Sequence, residues 1–159
     1  MSGGPAAPRA PQHREAEAAR IEVRHLRAGW WGLALFVVGG LGLEVLHAVK
    51  APFYLDAGQE TTRLLLRLAH AHGTGLSLLQ IAFALTARAW PATATRLASV
   101  AFLAAYVLLP GGFFLGALGA SRGDPGLGVV LVPAGAVALL VAVGSVSRRI
   151  RDPSAEEAE

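Results

Sequence analysis

The stretch GWWGLALFVVGGLGLEVLHAV, residues 29–49, carries a single charged side chain, Glu44. A helix rises about 1.5 Å per residue, so roughly 20 mainly apolar residues cross a hydrocarbon core about 30 Å thick. No period-two alternation competes with that reading. Residues 29–49 are therefore expected to form a membrane-spanning helix, and three more runs of the same kind follow at about 64–89, 97–120 and 126–147. Trp90, Pro91 and Thr93 separate the second run from the third, and Ser121 to Pro125 separate the third from the fourth. These turn-forming breaks are too short to hold another element, so neighbouring spans should be antiparallel. The expected fold is all-α: an integral membrane four-helix bundle over residues 28–147, up-down-up-down, with both termini cytoplasmic.

Composition points the same way. The chain is 53% hydrophobic and 16% charged, too apolar for a domain that meets water on every side. The charges lie in the flanks and loops, so a net charge of +3 marks no basic face and nucleic acid is not an expected partner. The lipid bilayer is, with a membrane-protein partner or a homo-oligomer as further options. The absence of cysteine excludes disulfides, thiolate metal sites and cysteine nucleophiles.

Arginine sets the direction, because cationic segments resist translocation. One side of the four spans collects Arg9, Arg14, Arg20, Arg24, Arg27, Arg88, Arg96, Arg148, Arg149 and Arg151; the other has Lys50, Arg63, Arg67 and Arg122. The first group should face the cytoplasm, which makes the chain a multi-pass protein of a bacterial inner membrane. Trp30, Trp31 and Trp90 would then lie at the inner boundary, and Phe53 and Tyr54 at the outer one. A cleaved signal peptide is a poorer account of the first run, which is long and contains Glu44 and His47. Residues 1–12 are expected to be disordered, 13–27 to form a solvated helical extension, and 148–159 a basic then acidic tail.

Small residues should bring helices together where lipid offers no hydrophobic reward for contact. Gly112, Gly116 and Ala120 form one such stripe, and Ala134, Ala138 and Ala142 another, so the third and fourth spans should touch. Pro110 should free the carbonyl of Tyr106 and kink the third span.

The chemistry is expected where polar residues enter the apolar runs. Glu44 and His47, three apart, share a helix face, and Gly40 lets a neighbour approach one turn below. Arg63, Arg67, His70, Thr74, Ser77 and Gln80 trace one stripe on the second span, which should face that pair with His47 and His70 at similar depth. His72, two residues from His70, points elsewhere. Intramembrane Glu and His are costly and usually line an interior or a cavity.

Several readings fit the cluster. The first is a structural clamp or assembly component, in which Glu44 pairs with His70 or Arg67 to fix how two helices meet. A second is a single transition metal on Glu44, His47 and His70, or a haem held between His47 and His70. A third is acid–base chemistry or proton handling by Glu44 and His70, in which a neighbouring Arg67 or His favours the ionised carboxylate and Tyr106 and Gln80 orient a small substrate or a quinone; Arg67, His72, Gln80 and Tyr106 are the expected second members of the site. No nucleophile elbow, phosphate loop or H-E-x-x-H motif is present.

The stretch Leu68-Ala69-His70-Ala71-His72-Gly73-Thr74, opening a span after a short outer loop, resembles histidine-containing helices of small bacterial four-helix membrane proteins. It is similar to the hydroxylaminobenzene mutase family, and to short proteins resembling haem-copper oxidase subunit I. The first resemblance implies rearrangement of aryl hydroxylamines to aminophenols, with His70 or His72 as carrier. The second implies His70 or His72 as a haem or copper ligand.

Overall fold

The computed structural model describes residues 9–150, and every regular element in that range is helical. Helix α1 spans Arg9–Ala48, α2 Pro52–Leu55, α3 Glu60–Ala89, α4 Arg96–Leu118 and α5 Leu131–Ser147. Three segments are long and apolar enough to cross a membrane: Arg14–Ala48, Arg96–Leu118 and Leu127–Ser147. Helix α3 has the length, at 30 residues, but its polar stripe dilutes its hydropathy. The expected segment at 1–12 falls partly outside the described residues, and its last members, from Arg9 on, already belong to α1. Of the expected tail, residues 151–159 also lie outside them.

Each long helix packs on the next in chain order, α1 on α3, α3 on α4 and α4 on α5. Facing residues show the direction. Gly29 meets Ile81, Gly32 meets Ser77 and Gly40 meets His70, so each step up α1 is a step down α3. Gly135, Gly112 and Gly116 meet Leu109, Val132 and Val129, an opposed run of α4 and α5. The small-residue expectation holds on α4, where Gly112 and Gly116 are buried. On α5 the register differs: Gly135, Ala142 and Ser145 are buried, whereas Ala134 is exposed. Gly135 displaces Ala134 because it alone lets the backbone reach Leu109, whose Cγ would lie 2.8 Å from an added Cβ. Pro110 sits inside α4, which continues through it.

Polarity is distributed as a lipid solvent requires. The fully buried side chains include His25, Ser77, Gln80, Thr93 and Ser99, while Val38, Leu41, Val45, Val107, Leu118 and Leu140 are exposed. A protein in water would carry a large penalty for that surface; in a bilayer, apolar side chains face the tails and polar ones find partners inside.

Helix α1 carries more of the packing than its sequence suggests. It runs without interruption from the arginine-rich segment into the apolar stretch. Its 40 residues make about 60 Å of helix, twice the hydrocarbon thickness. Yet the packed body begins at Ile21, which clusters with Phe83, Ala98, Ala101, Phe102 and Ala142. Residues 21–27 are thus part of the bundle and not a purely solvated extension. The aromatic expectation splits as well: Trp30, Trp31 and Phe53 are exposed, but Tyr54 is 1% exposed and packs inside, with its carbonyl accepting from Arg63 at 3.1 Å.

Candidate functional site

His70 holds the centre of the candidate site. Its ring lies against Gly40, where an added Cβ would stand 2.5 Å from Cε1, and the Phe36 ring lies against Gly73 in return. Each helix thus offers a glycine to the other's ring. His70 Nδ1 is 2.9 Å from the carbonyl oxygen of Phe36. A carbonyl only accepts, so Nδ1 carries the proton, and in a neutral ring Nε2 is left with a lone pair. Among the described residues Nε2 has no hydrogen-bond partner.

Two hollows meet at this ring. One is an apolar cavity of about 480 Å³ between α1, α3 and α4, with Leu35, Phe36, Leu66, Tyr106, Val107 and Phe114 in its wall. Pro110 also lines it; a proline has no N–H to give the Tyr106 carbonyl, so that acceptor is freed on the same side of α4. The other is a groove of about 300 Å³ in which Glu44, His47, Tyr54, Arg67 and His70 stand among Val37, Leu41 and Leu43. One turn along α3 from His70, Thr74 Oγ1 is buried with no hydrogen-bond partner among the described residues.

The depths differ from expectation. His70 stands opposite Gly40 and Phe36, about two turns below His47. Helix α3 begins at Glu60 and not near Leu64, and α2 with a short 3-10 turn fills the connection from α1, so His70 is carried further from that end. His47 and His70 share a groove but not a level. Among the described residues no three His, Asp or Glu side chains are gathered closely enough to hold a metal ion, the set Glu44, His47 and His70 included. Glu44 is exposed in the groove and not paired with His70 or Arg67 across the helix contact. The expected second members divide: Tyr106 joins His70 at the apolar cavity, whereas Gln80 belongs to a different cluster. His72 faces away, its Nδ1–H donating to the carbonyl of Leu68 at 2.9 Å and its ring 4.8 Å from that of Phe113.

That other cluster escaped sequence reading because its centre, His25, sits among arginines and glutamates. His25, Gln80 and Ser99 are all fully buried. Gln80 Nε2 donates to the Phe102 carbonyl at 3.0 Å, which turns Gln80 Oε1 towards His25 Nδ1–H. His25 Nε2 then accepts from Ser99 Oγ–H at 2.7 Å, and Ser99 Oγ accepts from Arg24 Nη2 at 2.5 Å. Each of these four hydrogen bonds pairs one donor with one acceptor when His25 is neutral. Phe83 closes it edge-on, its ring centroid 4.7 Å from that of His25. On the next turns of α1, Tyr106 Oη donates to the Ala28 carbonyl at 3.2 Å and covers Gly32. The polar clamp between α1 and its neighbours is therefore built mainly by His25, Gln80, Ser99 and Tyr106. A clue was present in the spacing, since Ile21, His25, Ala28 and Gly32 recur at helical intervals and continue the stripe of the apolar run.

The fold and this inverted polarity define a helical membrane protein. The chain matches no protein-family model, no curated protein and no solved structure. The chemistry of the site has to be read from its own residues.

Proposed function

We propose that the chain is a four-span inner-membrane protein, up-down-up-down with both ends cytoplasmic, that binds a small amphipathic molecule beside His70. The observation that carries this reading is the position of His70 on the wall common to an apolar cavity and a groove that carries Glu44, His47 and Arg67, with Nδ1 tied and Nε2 free among the described residues. Convergence of a few polar groups on an apolar pocket is the usual form of a small-molecule site. The body of the ligand would lie among Leu35, Phe36, Val107 and Phe114, and its head would meet Nε2. Glu44, His47 and Arg67 would set the charge at the groove. A neutral Nε2 can take a proton from a bound hydroxyl or amine, so the site suits acid–base work on an aryl hydroxylamine or hydrogen bonding to a quinol hydroxyl.

The clamp reading keeps one supporting observation, the tie from His70 to the Phe36 carbonyl. Binding separates the two. The purified protein in detergent is first examined by absorption spectroscopy and elemental analysis for haem or a metal, then titrated calorimetrically with phenylhydroxylamine and a short-chain quinol. The site reading expects saturable binding of at least one probe that weakens about tenfold or more in folded His70→Ala, the loss of roughly one hydrogen bond to a polar head. Absence of binding to every probe, with poor folding of His70→Ala, favours the clamp.

A further inference from the structure

At the opposite end of the bundle from His70's groove, Ala16, Glu17, Arg20, Ile21, Arg24 and Arg96 line a hollow of about 460 Å³. Three guanidinium groups from two helices therefore meet with one carboxylate. An adjoining hollow on α1 shares Arg20 and Arg24 and adds Arg27. We propose that this basic groove is a binding site for the phosphate headgroup of an anionic membrane phospholipid.

Arg24 is anchored and not simply solvated. One nitrogen is held by Ser99 Oγ, Ser99 by His25, and His25 by Gln80, so the buried polar chain ends on a guanidinium at the surface. A guanidinium has five N–H donors, which leaves donors in the fork geometry that phosphate oxygens accept. Arg96 is the first residue of α4, whose first turn contains no acidic residue. The N-terminus of a helix is already positive, so a cation there is unfavourable until an anion arrives.

The position selects a lipid over a free anion. Arg20, Arg24, Arg27 and Trp31 recur at intervals of four, three and four along α1, so one face passes from arginines to an indole that is 74% exposed. Beyond Trp31 that side of α1 is apolar and exposed at Leu35 and Val38. A headgroup on the arginines would leave acyl chains running along this face. Basic pockets between helices at the cytoplasmic boundary suit anionic lipid in this way. The cytoplasmic side is taken from the proposed orientation; the anion chemistry is independent of it.

The full chain, purified in mild detergent and stripped of lipid, is incubated with phosphatidylglycerol or with phosphatidylcholine of matched chains, and retained lipid is counted by native mass spectrometry. Wild type is expected to retain phosphatidylglycerol preferentially, and R24Q/R96Q to lose that preference by about tenfold or more. R148Q/R149Q, which removes the same charge from the same end, should keep it. Ser99→Ala, which frees Arg24 without removing charge, should weaken it in part. Equal retention of both lipids by wild type, or an unchanged preference in R24Q/R96Q, would overturn the proposal. So would displacement of phosphatidylglycerol by millimolar inorganic phosphate, which would mark a free-anion site. Failure of His70 to bind any probe leaves this result untouched, so the two proposals fail separately.

Discussion

His25 and Gln80 are joined side chain to side chain across 55 residues of sequence, with both residues fully buried. That contact pins the first half of α1 to α3, and through Ser99 to α4. His25→Ala should strand two polar groups, Gln80 Oε1 and the Ser99 hydroxyl. An orphaned buried group costs about 1–3 kcal/mol in general, and helix–helix hydrogen bonds in bilayers average nearer 0.6 kcal/mol. A loss of roughly 1–3 kcal/mol is expected in reversible unfolding from mixed micelles. Gln80→Leu should cost about as much, and the double variant less than the two together, because both single changes break one network. Additive losses would show that the two residues act independently.

Glycines sort into two groups by what an added methyl would meet. At Gly32 a Cβ would fall 1.8 Å from Tyr106 Oη and 2.5 Å from Ser77 Oγ, and at Gly40 it would fall 2.5 Å from the His70 ring. At Gly39 and Gly42 nothing lies within 4 Å. Gly32→Ala and Gly40→Ala should therefore lower folded yield and thermal stability, overpacking costing about 1–3 kcal/mol. Gly39→Ala and Gly42→Ala should be neutral or slightly stabilising, since alanine is the better helix former by about 1 kcal/mol in water. Melting curves of the four variants in one detergent decide the matter.

How far the sequence could be read depends on which force acts at each residue. Hydropathy is local and additive, so the apolar runs, their breaks and the all-α class were legible from residues 29–49 outward. The stripe on α3 was legible too, because helical spacing alone puts His70, Thr74 and Ser77 on one face. Partner choice was not. Gln80 could have served His70 or His25, and only the register set by Gly29, Gly32 and Gly40 assigns it to His25. Depth was misjudged at His70 because the connection between α1 and α3 folds into α2 and a 3-10 turn in place of a plain loop. His25 was missed because flanking charge marks a solvated segment on average, while one face of that segment is buried.

The proposed orientation is open to direct labelling, since the chain has no cysteine of its own. Ser121 lies in the turn between α4 and the start of the last span, where Arg122 and Gly123 both take positive φ, and it is exposed. Ser147 is exposed at the far end of α5. In intact cells a membrane-impermeant maleimide should modify Ser121→Cys and should reach Ser147→Cys only after permeabilisation. The reverse pattern would invert the topology, and labelling of both from outside would show that α5 does not cross.

Glu44 offers the sharpest separation between holding the fold and serving the site. Its carboxylate lines the groove with His47 and Arg67 but takes no part in the hydrogen bonds that tie α1 to α3, which run through His25 and His70. Glu44→Gln keeps the shape and removes the charge, so stability should change by no more than about 0.5 kcal/mol, the usual range for exposed substitutions. If the groove receives a polar head, the same change should weaken probe binding several-fold and alter its salt dependence, because the groove then keeps the Arg67 cation and loses its carboxylate. A large fall in folded yield from Glu44→Gln would instead mean that the carboxylate supports the helix contact. His70→Ala should differ in kind: it removes the tie to the Phe36 carbonyl and opens space against Gly40, so it lowers both stability and binding. The pair of variants, read on one thermal melt and one calorimetric titration each, thus distinguishes a residue that only tunes the groove from one that also builds it.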